Sequence, residues 1–170
     1  DLLQHLKENI KVAKSCYILT SFVMKSGVKL LEPILKEATE QGTEIKICTG
    51  DYLYITQPEA LTLLHDIHED IEIRLWKSNG VSFHPKAYLL ESESTNTLYV
   101  GSSNMSNSAL TTGVEWNLEV KDGTDEDIFE QALKEYFSLF HHESTIPVNP
   151  VTIESYSKEY KNFHKNHPVL

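Results

Sequence analysis

The strongest constraint on the fold is a regular alternation of two hydrophobic periods over residues 1–77. "DLLQHLKENIKVA" places apolar residues at 2, 3, 6, 10 and 12, close to helical spacing. "SCYILTSF" is a short apolar run suited to a buried strand. "SGVKLLEPILKEATEQG" returns to the helical period, with Pro33 expected to kink the helix or mark its first turn and Gly42 to stop it. "TEIKICTGD" predicts a strand, "QPEALTLLHDIHED" a helix with Pro58 in its first turn, and "IEIRLWK" a third strand. The order α-β-α-β-α-β implies parallel strands joined by right-handed crossovers. The pattern then changes. "SFHPKAYLLES", "NTLYVGSS" and "VEWNLEVKD" are strand-like runs with short links, which predicts local pairing. "DEDIFEQALKEYFSLFHH" closes the series as an amphipathic helix with acids at its start.

The predicted architecture is therefore α/β, with one domain over residues 1–143. Residues 144–170 are polar and hold Pro147, Pro150 and Pro168. They are read as a C-terminal extension that wraps the surface, or as a linker to a further domain. No window approaches the length of an apolar membrane span, and the first residues lack a signal-peptide pattern. The chain begins Asp1-Leu2-Leu3, which suggests a piece of a longer protein. Cys16 and Cys48 lie in strand-like runs and read as buried free thiols, which fits a reducing, cytoplasmic setting. The formal charge is −10, and its whole excess lies in residues 1–140. Such a surface repels a polyanion on average, so nucleic acid would need a local basic groove or help from other domains.

The chemistry concentrates in "HPKAYLLESESTNTLYVGSSN". On a strand, His84 and Lys86 share a face. A lysine offers fixed positive charge to a phosphate, and a histidine can act as nucleophile or proton donor. Gly101 permits close backbone approach, Ser102 adds a hydroxyl and Asn104 an amide. Together they supply the donors an oxyanion needs. "GVEWNLEV" places Glu115, Asn117 and Glu119 on one strand face, as candidates to orient the histidine. Taken singly, these segments also suit an exposed edge strand and a polar turn. His65 and His68, and the His141-His142 pair, read as solvated helix positions. Trp76 and Trp116 read as core. Tyr52 and Tyr54 follow a strand end, where they could stack on bases or pack within the loop.

The ordered set His84-x-Lys86, Gly101-Ser102-x-Asn104 and Glu115 resembles the phospholipase D superfamily signature. Its spacing looks most like single-motif nuclease-like domains fused to restriction enzymes and helicases. "TGDYLYITQPEAL" looks like the helicase-associated kind. The resemblance implies a mixed β-sheet flanked by helices on both faces. It implies that His84 attacks phosphorus, that Lys86 and Asn104 hold the non-bridging oxygens with Ser102 assisting, and that Glu115 accepts a hydrogen bond from the imidazole. It implies no metal and no cofactor, because lysine and amide donors neutralise the phosphate. The signature's aspartate position is Glu91 here, on the opposite parity to His84 and so read as supporting or solvent-exposed.

One motif supplies one histidine, whereas the resemblance calls for two. A homodimer would bring the second across a two-fold axis. The reading is a metal-independent phosphodiesterase, a DNA endonuclease module within a larger restriction or helicase protein, with no membrane partner. The alternative is a dimerisation or nucleic-acid-binding module with little activity. A lipid hydrolase ranks third, because no basic interfacial helix supports it.

Overall fold

The computed structural model describes residues 1–121 and 126–168. The two hydrophobic periods resolve as expected into helix α1 (Leu2–Ile10), strand β1 (Ala13–Thr20), helix α2 (Lys25–Glu40), strand β2 (Glu44–Gly50), helix α3 (Pro58–His65) and strand β3 (Glu72–Trp76). Strands β4 (Lys86–Ser92), β5 (Asn96–Gly101) and β6 (Asn117–Lys121) follow, with the short helix α4 (Asn107–Leu110) between the last two. Helix α5 (Glu126–Phe140) comes next; Asp125, expected at its start, lies outside the described residues. Strand β7 (Thr145–Pro147) and helix α6 (Pro150–Asn166) complete the order.

All seven strands form one sheet in the order β6-β5-β4-β1-β2-β3-β7. Strands β1, β2 and β3 pair in parallel, and the remaining pairs are antiparallel. This is the mixed α/β sheet with helices on both faces. One face carries Ile73, Ile47, Ile18, Tyr88 and Tyr99 in register across five strands. Helices α1, α2, α3 and α6 cover it with residues such as Leu6, Leu31, Leu64 and Tyr156. The opposite face sets Leu19, Leu89 and Leu98 against Phe129, Tyr136 and Phe140 of α5. Alternating side chains thus feed two cores, which is why the central strands read as nearly continuous apolar runs.

Several elements differ from the sequence reading. Pro33 sits well inside α2 rather than in its first turn. The segment after α5 carries regular structure that was not expected there: β7 pairs with the edge of β3, and α6 packs on α3. Asn149 and Thr152 form a reciprocal cap at the start of α6, with Pro150 in its first turn. Cys16 and Cys48 are buried in neighbouring strands as free thiols, and burial pushes both up to about 12.

Candidate active site

Ligand sites in α/β sheets gather where the parallel strands end, and the motif residues lie there. Three segments meet at that rim: residues 21–24 after β1, residues 51–57 after β2, and residues 101–106 after β5. The first and third are zipped together. Met105 N donates to Phe22 O at 3.3 Å, and Met24 N donates to Met105 O at 2.9 Å. Gly27 lies directly against the Met105 backbone, where a Cβ has no room. Gly101 is needed for the same reason, because a Cβ there would strike the Trp116 carbonyl.

Lys86 opens β4, opposite Thr20 at the end of β1. Its ammonium donates to the backbone oxygen of His84 at 2.8 Å and to Ser21 Oγ at 3.4 Å, and it lies 5.9 Å from the centre of the Phe22 ring. Burial lowers its pKa, and the Glu115 carboxylate opposes that shift. An ammonium has three protons, so these two contacts leave one for a ligand. Asn104 is half-buried. Its side-chain oxygen accepts from Phe22 N at 3.1 Å, which turns the amide so that the NH₂ end makes no hydrogen bond among the described residues.

His84 lies just before β4 and is exposed. Its ring stands edge-to-face with Tyr52 at 5.3 Å and with Phe22 at 6.2 Å, perpendicular to both. No hydrogen bond reaches the imidazole among the described residues. Glu115 lies before β6, outside the strand on which it was expected. Its carboxylate accepts a hydrogen bond from the Ser102 hydroxyl and not from His84. Ser102 is pinned by Trp116, whose N–H donates to Ser102 Oγ at 3.0 Å and whose carbonyl accepts from Ser102 N at 3.0 Å. Behind them, Asn117 Nδ2 donates to the buried Ser103 Oγ at 2.8 Å, and the Tyr88 hydroxyl donates to Ser103 O at 2.9 Å.

All five sequence-predicted residues, His84, Lys86, Ser102, Asn104 and Glu115, therefore gather at one rim. They arrive as two linked sets: His84 with Lys86 at the start of β4, and Ser102 with Glu115 between β5 and β6. Glu91 accepts from Ser15 Oγ at 2.8 Å, away from this rim, in a supporting role. Glu115, Asn117 and Glu119 line a cavity of about 300 Å³ with Leu2, His5 and Tyr99. Trp116 corrects the core reading: its side chain is 84% exposed. Glu115, Asn117 and Glu119 take one side of the chain along this edge, and Val114, Trp116 and Leu118 take the other, where all three are exposed. Trp76 is half-buried and packs on Phe83 and His142. Ser21 and Phe22 follow β1 and Tyr52 follows β2, so all three lie outside the stretch of chain that carries the motif.

The sheet order and the rim define an α/β protein of the phospholipase D-like class. Residues 6–140 match the family described as "Cardiolipin synthase, PLD-like domain", and the chain belongs to that family. No curated protein matches the sequence. Among solved structures, the chain is similar to NucT from Helicobacter pylori, with TM-score 0.66 and 19% identity, over 86% of this chain and 91% of that one. It is also similar to phosphatidylserine synthase from Haemophilus influenzae Rd KW20, with TM-score 0.62 and 16% identity, over 96% of this chain and 42% of that one. TrmBL2, an archaeal chromatin protein whose structure shows a mode of DNA binding, aligns with TM-score 0.52 and 14% identity, over 82% of this chain and 49% of that one. At these identities the likeness is one of fold.

Proposed function

We propose that this domain hydrolyses phosphodiesters by nucleophilic catalysis at His84, with DNA as its substrate. The observation that carries the reading is that Lys86 Nζ and the Asn104 amide stand at one rim, each with a donor unspent among the described residues, beside an exposed imidazole. In this reading a neutral ring nitrogen of His84 forms the bond to phosphorus. The bond to the leaving oxygen breaks, and that oxygen takes a proton from the partner's His84. Water then gives a proton to the partner's His84, now neutral, as the water oxygen bonds to phosphorus, the N–P bond breaks, and the phosphomonoester leaves with both imidazoles restored. Lys86, Asn104 and Ser102 hold the non-bridging oxygens. The positive charge comes from the protein, so turnover persists in excess EDTA.

The homodimer belongs to the same proposal. Val114 (93% exposed), Trp116 and Leu118 (65%) form an apolar strip on the sheet edge next to the Ser102 turn. A second copy seated there would cover a surface that is costly to leave in water, and would bring its motif near this one. In this reading further domains of a restriction or helicase protein in the cytoplasm deliver the DNA, because a charge of −10 repels a polyanion on average. No helix of the described residues is long and apolar enough to cross a membrane.

One observation favours the second reading, a dimerisation or nucleic-acid-binding module with little activity. Glu115 is engaged by Ser102, and the His84 ring has no carboxylate partner among the described residues. The deciding experiment compares the native chain with His84→Ala on plasmid DNA, bis(p-nitrophenyl) phosphate and phospholipid vesicles, all in excess EDTA. The proposal expects nicking of DNA that vanishes in His84→Ala. Activity confined to vesicles transfers the site to lipid diesters. Intact dimers with no activity on any substrate support the second reading.

A further inference from the structure

The His84 ring is held by aromatic contacts rather than by a hydrogen bond, and one of those contacts leads out of the family domain. Tyr52, half-buried, belongs to the turn Tyr52–Tyr54, which follows β2. Leu53 and Tyr54 in this turn have φ of 55° and 48°, a region that non-glycine residues occupy only when the surroundings enforce it. Helix α6 provides that enforcement. His164 Nε2 lies 2.8 Å from Tyr54 O, and the Tyr54 ring packs against Tyr156 at 5.8 Å and Phe163 at 4.9 Å. The Tyr156 hydroxyl donates to Thr56 O at 2.7 Å. Beside the turn, Lys77 bridges Glu159 of α6 at 2.7 Å and the buried Asp51 at 3.2 Å. Asp51 in turn accepts from Ser78 N at 2.8 Å. Helix α6 therefore grips the turn by its backbone, its ring and its preceding carboxylate, and the free side of the turn presents Tyr52 to His84.

We propose that Tyr52 is a positioning residue for the His84 imidazole, and that α6 acts as a strap that sets Tyr52 by locking the Tyr52–Tyr54 turn. The family match ends at residue 140, so the strap is carried by a segment beyond it. The strap places the nucleophile's ring from one side while Phe22 bounds it on another. With no carboxylate bonded to the imidazole among the described residues, these two rings restrict its rotation. Their effect falls on the alignment of the attacking nitrogen, so it is felt in kcat more than in KM. The catalytic consequence rests on the reading of His84 as nucleophile, whereas the geometry does not.

The test uses the whole chain with Tyr52→Ala, Tyr52→Phe and the α6 double variant Glu159→Gln/His164→Ala. The first readout is the His84 ring resonance, identified by its loss in His84→Ala, with circular dichroism melting as the control for folding. Tyr52→Ala and the α6 variant are expected to shift that resonance, and Tyr52→Phe to leave it in place. The second readout is turnover of bis(p-nitrophenyl) phosphate. Tyr52→Ala and the α6 variant are expected to lose about tenfold to a hundredfold in kcat with KM within about twofold, and Tyr52→Phe to restore the rate. A folded α6 variant with the His84 resonance and kcat unmoved overturns the strap. Should Tyr52→Ala fail to fold, the α6 variant, which keeps the Tyr52 ring, decides alone. A shifted resonance in a chain with no turnover sustains the strap and overturns the nuclease reading instead.

Discussion

The two halves of the sheet spend their hydrophobic residues differently. In the parallel half, β1 is buried at every position but one, and β2 is open only at its first residue and half-open at its third. Both faces are covered, and a side chain such as Ile47 has no contact with water. In the antiparallel half, β4 and β5 each keep three buried positions, and β6 is exposed at four of its five. Leu118, with Trp116 and Val114 just before the strand, faces solvent beside the candidate site. The parallel half thus holds the molecule together, and the antiparallel half presents chemistry and an unpartnered edge. An apolar side chain at an edge strand is not evidence of core, and next to a single motif it points to assembly.

The contrast is sharpest in stability. Ile47→Ala opens a void between β1 and β3 and is expected to cost about 2–5 kcal/mol in denaturant unfolding. Leu118→Ala on the open edge is expected to change the same quantity by no more than about 0.5 kcal/mol. Equal losses would show that the edge is packed in solution even in the monomer.

A middle-sized effect concerns association. Trp116→Ala keeps the backbone groups that pin Ser102, so the site remains intact within the protomer. Sedimentation across a range of concentrations is expected to show a dimer weakened by about thirtyfold, the loss of one central aromatic anchor. An unchanged dissociation constant would move the two-fold interface elsewhere.

The smallest effect is a shift along the pH axis. Burial makes the Lys86 ammonium easier to deprotonate than an ordinary lysine, and Glu115 opposes this. Phosphate binding needs the charged form, so the alkaline limb of kcat/KM should begin below the ordinary lysine range. Glu115→Gln removes the opposing anion and should move that limb to lower pH; movement to higher pH contradicts the assignment. The folded pKa lies below the unfolded one, so across that window the unfolded chain binds more protons and Lys86 favours folding as pH rises. Cys16 and Cys48, raised by burial, act in the opposite direction above the ordinary thiol range, so a melting curve at each pH separates unfolding from loss of the Lys86 charge.

The parallel half was legible because its periods are local: each helix and strand repeats its own pattern, and the crossover rule orders them. His84, Lys86, Ser102, Asn104 and Glu115 were legible as a set through their order along the chain. What escaped notice depends on spatial neighbours. Trp116 reads as core because it sits in a strand-like apolar run, and only its place just before the edge strand β6 exposes it. The role of Phe22 and Tyr52 requires β1, β2 and β4 to end at one rim. Helix α6 was obscured by the prolines around it, although Asn149, Pro150 and Thr152 are a start signal in their own right. The engagement of Glu115 by Ser102 follows from Gly101 letting two backbones touch, which no spacing rule anticipates.

The central claim is that the His84 ring bonds to phosphorus. Native chain mixed with bis(p-nitrophenyl) phosphate in excess EDTA, quenched in alkali during turnover and digested, should yield a phosphoryl adduct on the peptide that contains His84, and none in His84→Ala. Turnover that proceeds with no adduct there, or with an adduct on another residue, would contradict the account.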